Sequence, residues 1–418
     1  MTKVTVIDSI MGSGKTTWAK EYMNLHQDSM KFIYVSPYLD EIQNNILKAC
    51  PFLIEPDSKL GKGSKLKHFK ELLVNGSSII TTHALFRMLD EEVMDLLQNA
   101  GYTLIMDEVA NVIEKLDEIT KDDIQALKDA KLIEVEGRKV KWLDNGYKGV
   151  YGSSYVNVKY HSQQGNIYIH NNMMLFWTYP VKIFDLFENS YILTYLFDGQ
   201  IQKYYYELFN VKTNYKSVEK IDDCYILVPH NPKLEDRKRY KELISIYEGA
   251  FNSNYVYQGK VKGHELSSTW IKNSSNEMLE RLQLNLTSFF KSKGKSKDNL
   301  WTTKLSIQSK LRGKGYTKGF IPWTTRATND HQETYNLAFV YNLYMNPFEK
   351  AFFEEAGVKV DEDLLAVSNL LQWIWRSRIR KLEPESINVY IPSLRMRTLL
   401  KQWLDNKEIR FHYKNRGY

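Results

Sequence analysis

Apolar runs of four to seven residues alternate with stretches of helical periodicity through the first third of the chain. Residues 4–7, 31–36, 78–82 and 103–106 read as buried strands, and 16–26, 39–49 and 66–75 as helices between them. Strands separated by helices pair in parallel through right-handed crossovers, giving an α/β sheet whose ligands gather at the carboxyl ends of its strands. From about 121 to 172 the period shortens to two. Residues 132–137, 139–143, 156–160 and 166–170 alternate around turn signals such as Asp144-Asn145-Gly146, the pattern of β-hairpins. The run 190–196 restores a buried strand, so the hairpins read as an insertion in the first sheet. A second α/β pattern begins near Asp222, with strands at 224–228, 299–304, 319–325 and 387–391 and helices at 233–251, 277–291, 333–345 and 361–380. The predicted fold class is α/β, with two tandem parallel-sheet domains over 1–215 and 216–418 and a β-hairpin insertion in the first.

Composition narrows the setting. The chain has 418 residues and 43% hydrophobic content, enough for two or three domains with proper cores. Lys and Arg number 57 against 50 for Asp and Glu, and the excess gathers at 59–70, 291–297 and 376–381. A polyanionic partner fits that excess, and so does ordinary solvated surface charge. The two cysteines, Cys50 and Cys224, make no disulfide framework and no metal-ligand spacing, as expected in a reducing cytoplasm. No charged leader precedes an apolar run at the N-terminus, and no apolar stretch approaches the ~20 residues of a membrane span. A cytoplasmic protein with no membrane partner is expected.

Three constellations carry chemistry. The first strand runs into Asp8-Ser9-Ile10-Met11-Gly12-Ser13-Gly14-Lys15-Thr16-Thr17, a strand, glycine turn and helix start. This is a phosphate-binding loop: Gly12 and Gly14 let backbone amides face a polyphosphate, Lys15 reaches its outer oxygens, and the Thr16 hydroxyl can ligate Mg2+. Second, the strand 103–106 delivers Asp107 and Glu108 to the same sheet edge, where Asp107 would hold Mg2+ through water and Glu108 would polarise an attacking water. Third, Gln372, Arg376 and Arg380 recur every four residues, a polar and cationic stripe if 361–380 is one helix, with Arg378 on roughly the opposite side. Arginine's fixed fork suits charge developing in phosphoryl transfer.

Together these residues resemble superfamily 2 helicases, the DEAD/DEAH-like nucleic-acid-dependent ATPases, and more closely the small helicases of phage replication modules. Ser9 to Thr16 resembles motif I, Val35-Ser36-Pro37 motif Ia, Thr81-Thr82-His83 the next strand-contacting motif, and Asp107 to Ala110 motif II. Leu193-Thr194-Tyr195 stands in the place of motif III, Trp323 to Asn329 resembles motif V, and Gln372 to Arg380 motif VI. The resemblance implies two RecA-like domains clamping ATP and Mg2+ between them. It implies nucleotide contacts from Met11 to Thr17, Mg2+ on Thr16 and Asp107, and catalytic roles for Lys15, Asp107, Glu108, Gln372, Arg376 and Arg380, with Arg376 as the arginine finger. It also implies strand contacts at Ser36, Pro37, Thr82, His83, Thr325 and Arg326.

The chain departs from that pattern at three places. Ser9 stands where the strict phosphate loop has glycine, Ile379 stands where motif VI carries its second arginine, and Tyr195 replaces a small residue of motif III. The function implied is an ATP-dependent DNA helicase or translocase in replication or recombination. Its partners would be single-stranded or forked DNA, with RNA as the other track, and replication proteins; it would act as a monomer or weak oligomer. The same fold also suits an ATPase that remodels protein–DNA or RNA complexes. A P-loop kinase is the reading from another class, and it leaves the second α/β half unexplained.

Overall fold

A computed structural model describes residues 4–150, 153–324, 330–381 and 383–413. Its strands in chain order are β1 (Val4–Asp8), β2 (Lys31–Ser36), β3 (Ile79–Thr82), β4 (Tyr102–Asp107), β5 (Ile113–Lys115), β6 (Ile133–Glu136), β7 (Lys139–Trp142) and β8 (Ile167–His170). There follow β9 (Met174–Thr178), β10 (Asn189–Thr194), β11 (Thr213–Ile221), β12 (Cys224–Pro229), β13 (Ile244–Ile246), β14 (Asn299–Thr303), β15 (Asn336–Val340) and β16 (Ile387–Tyr390).

The first sheet has the order β12-β11-β1-β10-β4-β2-β3. Every pair from β11 to β3 is parallel, and β12 alone runs antiparallel. Strands β1, β10, β4, β2 and β3 are buried on both faces, as a sheet covered by crossover helices must be, whereas β11 and β12 at the edge are mostly half-buried or exposed. Period two then divides the side chains: Val6, Ile33, Val35, Leu104 and Met106 join one core, and Ile7, Phe32, Tyr34 and Ile105 the other. Each such apolar side chain stabilises the fold by about 1.5–3 kcal/mol. The second sheet, β13-β16-β15-β14, is parallel throughout, and the inserted sheet, β5-β9-β8-β7-β6, is antiparallel. The α/β class, the parallel sheets and the insertion agree with expectation.

Several expected elements change. Residues 224–228, expected to open the second domain, form β12 at the edge of the first sheet, with Val218 opposite Leu227. The turn that folds β12 back contains Asp222 at φ 53°, the left-handed conformation of tight hairpins. The expected boundary at 215/216 therefore cuts through β11. Residues 333–345, expected as a helix, hold β15, buried at all five positions; a short run buried on both sides reads alike in either element. Residues 156–160, expected as a strand, lie in the helix Ser154–Gln163, which buries Val158 and Ser162 one turn apart. The stretch 233–251 divides into the helix Arg237–Leu243 and β13. From 319–325 the described part contributes one bridge, Phe320 to Trp301.

The insertion extends beyond 121–172, since β5 and β9 bracket it. It leans on the second domain: Arg138 Nη2 donates to the Phe352 carbonyl at 2.8 Å, and Phe176 packs 4.9 Å from the Phe352 ring. Phe352 belongs to the helix Pro347–Glu354, so the inserted sheet packs against the second domain.

Candidate functional site: the cleft between the two sheets

β1 ends at Asp8, and the chain turns through Ser9 to Gly14 into the helix Lys15–His26. Gly12 and Gly14 hold φ of 83° and 96°, a region that side chains disfavour. Gly14 is constrained twice, because a Cβ built there would lie 2.0 Å from the ring of Tyr225 on β12. Lys15 Nζ donates to the carbonyls of Ser9 and Ile10, at 2.5 and 3.0 Å. Burial holds its ammonium below the ordinary lysine range, opposed by the carboxylates of Glu108, Asp8 and Asp107. Ser13 Oγ is buried with no hydrogen-bond partner among the described residues, which fits a loop built to meet phosphate oxygens.

The loop is fixed from behind. Asp8 accepts from Leu196 N at 2.8 Å and Phe197 N at 2.9 Å, and burial pushes its carboxyl up to about 6 against those bonds. Ser9 Oγ accepts from Val218 N at 2.9 Å, so serine in the place of glycine ties the loop to β11.

β4 delivers Asp107 and Glu108 to the same edge. Tyr34 on β2 donates to Asp107 Oδ2 at 3.1 Å. Burial pushes the Asp107 carboxyl up to about 7, and the nearby charges of Glu108 and Glu41 add to the shift. Mutually repelling carboxylates beside this loop form a charge arrangement that a divalent cation relieves, so the chemistry around Asp107 fits Mg2+. Glu108 sits at φ 64°, and its N–H donates to the Leu193 carbonyl of β10 at 3.0 Å. For a side chain this size that conformation is uncommon, and here it turns the carboxylate toward the second domain.

From that domain the helix Glu362–Ile374 carries Gln372, whose Nε2 donates to Glu108 Oε2 at 3.4 Å. The helix then stops. Ser377 Oγ donates to the Ile374 carbonyl at 2.8 Å and Ser377 itself is extended, a local bond that competes with helix continuation. The expected stripe of Gln372, Arg376 and Arg380 on one helix is therefore corrected: only Gln372 is on the helix. Arg376 is 3% exposed, and its Nη1 donates to the Pro322 carbonyl at 3.2 Å. Arg378 donates to the Ser386 carbonyl, pairs with Glu385 at 3.4 Å and lies 4.3 Å over the Tyr335 ring. The Arg380 carbonyl oxygen comes within 3.9 Å of a Cβ built on Gly12. Of the three arginines, Arg380 is the one whose backbone approaches the phosphate loop.

The expected strand-contacting residues are divided. Ser36 is fully buried, and its Oγ accepts from Tyr38 N at 3.5 Å, so its hydroxyl is not presented to a ligand. Pro37 is half-buried beside it. Thr82 caps the short helix His83–Phe86 by accepting from Leu85 N at 3.2 Å, and His83 Nε2 lies 2.8 Å from the Asp107 carbonyl. Thr325 and Arg326 lie outside the described residues. Two of the basic runs are engaged as well: Lys381 pairs with Glu333 and Glu385, and Lys70 with Asp90.

Sequence reasoning passed over Asp8, Tyr34 and Tyr225. A carboxylate ending a buried strand directly before the loop was a signal for Asp8; nothing local marks the two tyrosines, which reach the site through sheet order.

A phosphate loop and paired carboxylates on one parallel sheet, faced by a glutamine from a second, define a tandem RecA-like protein of the helicase fold. A solved XPD chain ("XPD_APO") has that likeness at a TM-score of 0.50 and 13% identity, over 97% of this chain and 95% of its own; it shows the fold alone. Residues 238–404 match the YonV C-terminal Rossmann-like domain, and 113–177 the YonV middle domain. The SPbeta prophage-derived protein YonV of Bacillus subtilis (strain 168) is 38% identical over 422 residues, spanning 97% of this chain and all of its own length. The chain belongs to the YonV family. Among the described residues no helix is long and apolar enough to cross a membrane.

Proposed function

We propose that this protein is a nucleic-acid-dependent ATPase that works as a DNA translocase or helicase in phage replication or recombination, in the host cytoplasm. The observation that carries this reading is the meeting of Gln372 with Glu108 across the two domains, beside Lys15 and the loop from Met11 to Thr17. The loop amides and Lys15 would hold the ATP phosphates, and Glu108, with Gln372 against it, would orient the attacking water. Mg2+ on Thr16 and Asp107 would supply charge neutralisation between the phosphate oxygens. Arg376 or Arg380 would complete the site from the second domain as the arginine finger; the Arg380 carbonyl lies 3.9 Å from a Cβ built on Gly12. Asp8, which leads into the loop, accepts from Leu196 N and Phe197 N, so it would couple movement at the loop to the segment after β10.

A strand-displacement assay on forked DNA with ATP tests this reading, with Lys15→Ala as the inactive control. Displacement by the wild type, absent from the variant, supports a helicase. ATP hydrolysis stimulated by nucleic acid without displacement leaves the remodelling ATPase, and hydrolysis indifferent to DNA and RNA overturns both.

A further inference from the structure

Beyond Gln372 the interdomain space widens into a cleft of about 2220 Å³. It begins at Val109 to Asn111, directly after Glu108, and ends against the helices Ser268–Lys272 and Pro347–Glu354. Its walls are aromatic: Trp270, Trp323, Tyr341, Tyr344, Phe348 and Phe411 line it. Trp323 stacks on Tyr341 at 5.9 Å and 23°, and Phe348 is 44% exposed. Small-molecule sites occupy ~300–1,000 Å³, so this space suits an extended ligand better than a compact one.

Charge points the same way. The cleft continues past Ser268 and Thr269 into a shallower groove with Lys272 and Lys304, neither of which forms an ion pair among the described residues. The acids in the cleft oppose a polyanion weakly. Glu362 is paired with Lys350 at 2.6 Å, and burial near Glu114 pushes the Glu349 carboxyl up to about 7. The exposed Phe348, with Lys115 Nζ 5.2 Å from its ring centre, and the half-buried Trp323, followed by hydroxyls and lysines, form a stacking platform joined to a phosphate track.

We infer that this cleft binds single-stranded nucleic acid, with bases stacked on Trp323 and Phe348 and the backbone led out past Lys272 and Lys304. A duplex keeps its base faces stacked within itself and offers none to these rings. The inference rests on the proposed nucleic-acid-dependent ATPase and deepens it by placing the strand: the cleft starts at the residues after Glu108 and is lined by Gln372, so an occupied cleft touches the elements that close the nucleotide site.

Titration of the full chain against a fluorescent 15-nucleotide oligodeoxythymidylate and a 15-base-pair duplex tests it, in the wild type, Phe348→Ala, Trp323→Ala and the double variant Lys272→Ala/Lys304→Ala. The expected result is preference for the single strand, roughly tenfold weaker binding in each aromatic variant, and a shallower salt dependence in the lysine pair. Phe348 is exposed, so its truncation leaves no core cavity and keeps the test valid if Trp323→Ala fails to fold. Strand binding equal in wild type and variants overturns the cleft assignment while leaving the ATPase reading intact. Failure of the wild type to bind any nucleic acid overturns both.

Discussion

Gln372 Nε2 donates to Glu108 Oε2 at 3.4 Å, joining residues 264 positions apart and from different sheets. Glu108 is turned to receive it by a left-handed backbone, and Gln372 is the last polar residue before its helix ends at Ile374. On the proposed reading, hydrolysis would depend on the domains being together, because the glutamine would orient the carboxylate that orients water. Gln372→Ala should lower kcat for ATP hydrolysis by about tenfold or more with little change in nucleotide affinity. Gln372→Glu, which sets two carboxylates against each other, should be worse. Wild-type kcat in both variants would show the contact to be incidental.

Arg378 and Arg380 should separate by readout. Arg378 is occupied by Glu385, Ser386 and Tyr335, so Arg378→Ala should cost stability of about 1–3 kcal/mol and leave the chemistry nearly intact. Arg380 approaches the glycine loop through its backbone carbonyl, and if its side chain is the arginine finger, Arg380→Ala should reduce kcat roughly a thousandfold or more. Single-turnover hydrolysis and urea unfolding on both variants distinguish these outcomes; a reversed pattern would move the finger to Arg378.

Legibility followed distance along the chain. The strand, glycine turn and helix over residues 4–26 and the strand that ends at Asp107 are legible because each is a local arrangement: one strand, one turn and the residues at its end. The stripe of Gln372, Arg376 and Arg380 was not, since Ser377 breaks the helix by bonding backward to Ile374, and nothing in the spacing announces that. β15 was misread because five buried residues satisfy a helix or a strand equally. β12 was assigned to the wrong sheet because strand order is set by tertiary pairing, which also brings Tyr225 onto Gly14.

Tyr195 shows what a departure from the helicase pattern can do. Its hydroxyl donates to Glu235 at 2.7 Å and accepts from the Trp403 indole at 2.8 Å, while Glu235 holds Arg237 at 2.8 Å. A small residue there could not join the β10 loop to the helix Leu394–Leu404 of the second domain. Tyr195→Phe strands a buried indole N–H and removes a charge-assisted bond, at a cost of about 1–3 kcal/mol. Urea unfolding measures it, and an unchanged midpoint would mean that the network contributes no net stability.

Asp107 and Asp8 bind protons more tightly folded than unfolded, with carboxyls near 7 and 6 against an ordinary 3.8. The stability this gives is fully present below about pH 4 and is lost as pH rises through 6 to 7, when both ionise in place. In metal-free buffer Asp107→Asn, neutral throughout, should lose less thermal stability between pH 5 and pH 8 than the wild type. Parallel curves would place the Asp107 carboxyl at its ordinary value.

Steady-state ATP hydrolysis by the full chain, with and without oligodeoxythymidylate, in the wild type, Lys15→Ala and Glu108→Gln, tests the two-domain motor most directly. A motor predicts strong stimulation by the strand, lost in both variants, with Glu108→Gln still binding ATP. Hydrolysis that ignores the strand, or that survives Lys15→Ala, would contradict it.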